Sequence, residues 1–160
     1  MEPVIFARLP TYSGPSFFGL DEMHLLGQGM GRLIHNLIIT TCMTTGHTKY
    51  MHKKDDDTFN MSGYSFAVVK KDLLEVGKCI EASRSKIPVS FQGSWDNLIV
   101  KTDGARAVDF LDFLLFVIPT LIVPLFRNTS ARRALLSLVK GCAIALQWEL
   151  DESMIKEMEK

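Results

Sequence analysis

LDEMHLLGQGMGRLIHNLI (20–38) is the stretch that decides the fold. Met23, Leu26, Met30, Leu33, Ile34, Leu37 and Ile38 recur at intervals of three and four, the rhythm of a helix that buries one face. Asp21 and Glu22 stand at its start, where carboxylates suit the positive end of the helix dipole. These features predict a helix from Leu20 onward. Its glycines, Gly27, Gly29 and Gly31, look superficially like a phosphate loop. The dinucleotide fingerprint, however, needs Gly-x-Gly-x-x-Gly directly after a strand, and here both spacing and context fail. Close approach of another helix is the better reason for them.

Working outward, residues 1–19 carry Pro3, Pro10, Gly14 and Pro15 and read as an extended, turn-rich lead-in to a helical domain over 20–160. Residues 41–63, with Thr44-Thr45-Gly46 and the charged run from Lys53 to Asp57, read as a polar loop. A second helix is predicted from Ser65 to about Arg84, where Phe66, Val69, Leu73, Val76 and Ile80 repeat at helical spacing; Pro88 and Gly93 then break the pattern. Residues 107–126 form the most apolar stretch. Its uncharged part, Phe113 to Phe126, is shorter than the roughly 20 residues that span a bilayer, and Asp109 and Asp112 precede it. It is predicted to be a buried core helix ending near Pro119, with a membrane-associated protein as the alternative. A last helix is predicted from Ser130 to Leu150, capped by Thr129 or Ser130, with Leu135, Leu138, Val139, Cys142, Ala145 and Trp148 on one face. The tail from Asp151 continues as an exposed helix. The expected fold is mainly α, a single domain of about four helices with irregular connections.

Composition narrows the function classes. Eighteen basic and eighteen acidic residues cancel, so no global field draws the chain to nucleic acid or to an anionic membrane, and strong autonomous nucleic-acid binding is not expected. Cys42, Cys79 and Cys142 are odd in number and far apart, and the N-terminus lacks the apolar stretch of a signal peptide. A reducing compartment, nucleus or cytoplasm, is expected.

Four groups of residues could carry chemistry. Asp21 and His24, three apart, share one face of the first helical turn; either the carboxylate fixes the imidazole tautomer, or Asp21 caps the helix and His24 fills space. Cys42, His47 and His52 have zinc-ligand types but lack a fourth ligand at matching spacing. Asp55-Asp56-Asp57 on a loop is ordinarily solvated, so no metal or cofactor is expected. Arg127, Arg132 and Arg133, with Lys140 two turns on, are either phosphate contacts or a solvated helix surface.

The block LPTYSGPSFFGLDEMHLLGQGMGRLIHNLI (9–38) resembles a segment of fungal CACTA-like transposases of the DDE type. There, small and aromatic residues lead into Asp-x-x-His and an apolar helix with an Asn about a dozen residues on; Asp21, His24 and Asn36 match those positions. Ile87 to Phe91 with Trp95 downstream, an apolar helix, and a basic stretch leading into a Leu-rich helix follow in similar order. The resemblance implies three catalytic carboxylates on an RNase H-like core, with the Asp-x-x-His block between the second and third. About twenty residues precede Asp21, too few for the strands bearing the first two acids, and the chain stops before the last would fall. The expectation is a non-catalytic helical fragment from a decayed transposable element, partnered by a longer transposase copy or by DNA in that context. A helical protein-interaction module is the alternative from another class.

Overall fold

The structure, a computed structural model, describes residues 21–40, 64–88, 90 and 93–159. The lead-in 1–19, the loop 41–63 and with it Cys42, His47, His52 and Asp55 to Asp57 lie outside the described residues. Among those described there are five helices and no strand, so the chain is mainly α.

Helix α1 (23–40) is continuous, with π-type turns over Met23–Gly31, an α-helical turn at Arg32–His35 and π-type turns again over Asn36–Thr40. Of the face that the sequence periodicity marks out, Leu26 and Ile38 are buried and Met30, Ile34 and Leu37 partly so, while Leu33 is exposed and Ile39, outside that period, is buried instead. Gly27 and Gly31 act as expected, whereas Gly29 is exposed and meets no other helix among the described residues. A Cβ on Gly27 would stand 2.5 Å from the Ala107 carbonyl oxygen, and one on Gly31 would stand 2.6 Å from that of Phe110. Two backbones therefore touch where any side chain would push them apart.

The helix they touch, α3, consists of α-helical Ala107–Asp112, π-type Phe113–Ile122 and a closing 3₁₀ turn, Val123–Leu125. It is the central element, packed by α1, by α2 (Lys70–Ser83) and by α4 (Thr129–Ala145). Phe113, Leu114, Ile118 and Ile122 are fully buried, each contributing roughly 1.5–3 kcal/mol through removal from water. The predicted stop near Pro119 is not observed. Proline breaks an α-helix because its ring meets the carbonyl four residues back and leaves it without a donor. Here the turns bond five residues back, as Val123 N–H does to Ile118, and the Thr120 hydroxyl donates to the Phe116 carbonyl, so the helix passes through. As a result Ala107–Leu125 is one helix of 19 residues, long and apolar enough to cross a bilayer by length and composition, while 44% of that stretch is buried inside this fold.

Three boundaries differ from expectation. Helix α2 starts at Lys70, not Ser65, because Ser65 and Phe66 form a turn and Val69 is extended (φ −67°, ψ 131°), which lets Val68 enter the core. Tertiary burial outweighs the local period there. Asn128, not Thr129 or Ser130, caps α4, its side chain accepting from Ala131 N–H at 2.9 Å. Helix α4 also ends at Ala145 rather than Leu150: the Gln147 amide turns back to the Ala143 carbonyl at 2.9 Å, and Asp151 caps a separate helix, α5 (Glu152–Met158), through Met154 N–H at 2.8 Å. Trp148, expected on the core face, is consequently fully exposed. Helix α5 rests on α4 and is tied to it by Lys140 and Glu157 at 2.6 Å.

Substitution of glycine by alanine separates packing from propensity. Gly31→Ala is expected to destabilise by about 2 kcal/mol or more, since the intruding methyl meets backbone. Gly141, inside α4 with nothing within 4 Å of a new Cβ, is expected to gain about 0.5–1 kcal/mol as alanine. Urea unfolding of the two variants checks both signs.

Candidate functional site

Asp21 and His24 meet at the start of α1. His24 Nδ1 lies 2.7 Å from Asp21 Oδ2, while Asp21 Oδ1 accepts from Met23 N–H at 2.8 Å and from His24 N–H at 3.3 Å. The two readings of this pair therefore coexist: the carboxylate caps the helix and orients the imidazole. The hydrogen bond from His24, with the Met23 amide second, holds the Asp21 carboxyl below its ordinary value. Both side chains are open to water, 82% exposed for His24 and 55% for Asp21. A surface pair of this kind has no enclosed space in which to hold a substrate.

Asn36 lies twelve residues further along the same helix, on the order of 15 Å away, and is not part of that pair. Its neighbour is His35, whose Nδ1 sits 3.5 Å from Asn36 Oδ1. Arg127, Arg132, Arg133 and Lys140, in α4 and just before it, do not act as one cluster. Arg132 donates from Nε to the Phe126 carbonyl at 2.6 Å and from a terminal nitrogen to that of Pro124 at 3.2 Å, sealing the turn between α3 and α4. Lys140 is held by Glu157, while Arg127 and Arg133 are exposed.

The densest polar arrangement lies at the start of α3. Asp109, only 4% exposed, accepts from Ser94 N–H at 2.6 Å and from Arg106 N–H at 2.8 Å, and meets the Arg106 guanidinium at 3.3 Å. Burial pushes its carboxyl up, but the Arg106 side chain and the two backbone donors together outweigh that and hold it below the ordinary range. One turn on, Asp112 accepts from Gly93 N–H at 3.0 Å, and burial raises its carboxyl. These two acids fasten the 93–99 segment onto α3. The fastening holds Trp95 in the left-handed region (φ 52°), a strain of order 1 kcal/mol or more for a non-glycine residue, with its ring beside Phe116 at 6.2 Å.

His35 closes the same arrangement from the other side. It is 1% exposed, donates from Nε2 to the Leu98 carbonyl at 2.8 Å, and packs edge-on against Phe110 at 5.4 Å and Phe113 at 5.0 Å. Burial lowers its imidazole below the ordinary value. Sequence reasoning singled out neither His35 nor the anchoring role of Asp109. Asp109 reaches back to the Arg106 N–H as the third residue of a helix does in a capping box, but arginine at the cap has no acceptor and so leaves no such signature in the sequence, and a lone histidine within an apolar helix carries no local signal either.

Fold and site together define a small helical domain whose buried polar groups secure a loop to its central helix. Among the described residues no three His, Cys, Asp or Glu side chains are gathered so as to hold a metal ion. No protein-family model, curated protein or solved structure matches this chain.

Asp109→Ala is expected to cost about 3 kcal/mol by taking the carboxylate acceptor from the Ser94 and Arg106 backbone donors, and to raise hydrogen exchange selectively across 93–99. His35 sets a pH slope. Because its imidazole is depressed in the fold, its contribution is fully present above the unfolded value of about 6.5 and is lost as pH falls below it, the unfolded chain taking up the proton first. Urea midpoints should fall between pH 7 and 5 in the native chain, and that part of the slope should vanish in His35→Gln.

Proposed function

We propose that this chain is a non-catalytic helical portion of a CACTA-like DDE transposase, derived from a decayed mobile element, with a packing role beside the catalytic part of such an enzyme. The observation that carries the reading is the arrangement of the Asp-x-x-His block. Asp21 and His24 are paired at 2.7 Å at the head of one helix, Asn36 lies on that same helix beside the buried His35, and Gly27 and Gly31 press the helix onto the most apolar segment of the chain. After it come α2, the apolar α3 and a basic stretch, Arg127, Arg132 and Arg133, leading into α4, and the sequence resemblance rests on this order. Exposed apolar side chains, Leu25, Leu33 and Phe116 among them, are the kind of surface that a neighbouring part of a larger protein covers. The charge balance supports a role carried out within an assembly rather than by independent grip on DNA.

Sequencing the genomic DNA and transcripts on both sides of the coding region tests this. The expected result is transposase-like sequence, intact or decayed, with strand-forming segments bearing two acids upstream and a third acid downstream. Flanks that are unrelated to transposases, or an unbroken unrelated gene, overturn it. In a fluorescence anisotropy titration at physiological salt, the chain alone is expected to bind duplex DNA no more tightly than the roughly 10⁻⁴ to 10⁻⁶ M of non-specific contacts.

A helical protein-interaction module is the second reading. It is favoured by one specific feature, the full exposure of Trp148 between two helices that are otherwise well capped.

A further inference from the structure

Arg127, Asn128, Thr129 and Ser130 follow one another on the surface where the chain leaves α3 and enters α4, and all four are exposed. Ser130 has an arginine three residues before it, Arg127, and among the described residues no other serine or threonine does. The three arginines of this stretch divide by what they already hold. Arg132 is spent on the Phe126 and Pro124 carbonyls. Arg127 and Arg133 stay exposed, and among the described residues neither has an ion-pair partner.

The backbone ahead of Ser130 matters as much as the charges. A protein kinase takes its substrate as an extended segment, so that the acceptor hydroxyl can stand in line with the γ-phosphate of ATP. Phe126 (φ −69°, ψ 133°) and Asn128 (φ −86°, ψ 120°) are already extended, and the Arg132 guanidinium holds that connection against the end of α3. Ser130 itself is the second residue of α4 (Thr129–Ala145), so docking opens one helical turn. The bonds given up are the Asn128 side chain on Ala131 N–H at 2.9 Å and Arg132 N–H on the Asn128 carbonyl at 3.1 Å. Helix ends of this kind open at low cost.

We propose that Ser130 is a phosphorylation site for an arginine-directed protein kinase, with ATP as the phosphoryl donor. The Ser130 oxygen bonds to the γ-phosphorus, the bond from that phosphorus to its bridging oxygen breaks, ADP leaves, and the hydroxyl proton passes to the aspartate of the kinase. Arg127 supplies the recognition by pairing with carboxylates of the kinase cleft. The product carries about −1.5 to −2 charge, and Arg133, three residues on, shares its side of the helix. An ion pair across the first turn of α4 is the structural consequence. This site does not depend on the transposase reading.

The test incubates the full native chain with ATP and a calmodulin-dependent protein kinase, whose cleft reads an arginine three residues before the acceptor, and maps the product by tandem mass spectrometry. Phosphate on Ser130 is expected, at an initial rate that Arg127→Ala lowers at least about tenfold and that Arg133→Ala changes less than about twofold. Ser130→Ala gives the blank. Thermal melting followed by circular dichroism is expected to move upward on modification, and in Arg133→Ala that gain is expected to fall by at least about half. A folded chain that takes no phosphate on Ser130 overturns the proposal, as does modification confined to Thr11, which has Arg8 at the same spacing. Equal rates with and without Arg127 overturn it too, and a melting temperature that falls on modification overturns the pairing with Arg133.

Discussion

Everything else in this molecule depends on the contact between two helix backbones at Gly27 and Gly31. Helical backbones normally stay apart by the width of their side chains, about 8–10 Å between axes. Removing two Cβ atoms on one face of α1 lets it lie directly on the carbonyls of Ala107 and Phe110. That approach fixes where α3 sits, and α3 is the element on which α2 and α4 also pack. It also brings His35, one turn past Gly31, against the rings of Phe110 and Phe113 and within reach of the Leu98 carbonyl. A helix contact made by small residues and a loop held by a buried imidazole are therefore consequences of a single steric fact.

The polar interior serves the same end. Asp109 is a buried charge, which folds tolerate only where hydrogen bonds replace the lost water. It has them: two backbone donors and a guanidinium. These bonds pin a segment that includes a tryptophan in a strained backbone conformation, and so convert an irregular connection into the wall of a groove. Among the described residues, apolar side chains stay exposed both in the C-terminal segment, as at Trp148 and Leu150, and on α1, as at Leu25 and Leu33.

Much of the fold was legible locally. The three-and-four period from Met23 to Ile38 marks α1 and most of its core-facing side, though Leu33 stays exposed, and Gly27 and Gly31 within it make the expected close helix contact. Where local reading failed, a tertiary or turn-specific interaction had overridden the period: Val68 drawn into the core in an extended conformation, Pro119 carried through by wide turns, and α4 closed early by Gln147. Asp21 and His24 could be paired from spacing alone because three residues is one helical step. The juxtaposition of His35 with Leu98 could not, since 63 residues separate them.

The sequence by itself determined that this chain is helical, which faces of its helices are apolar, that its charges balance, and which small residues permit close contact. These properties follow from periodicity and composition, which are local or additive. Only the tertiary structure decided that Asp109 and His35 anchor a loop, that Arg132 seals a turn, and that Trp148 faces solvent. Each of these depends on which distant segment arrives beside a residue, and no local pattern encodes that arrival.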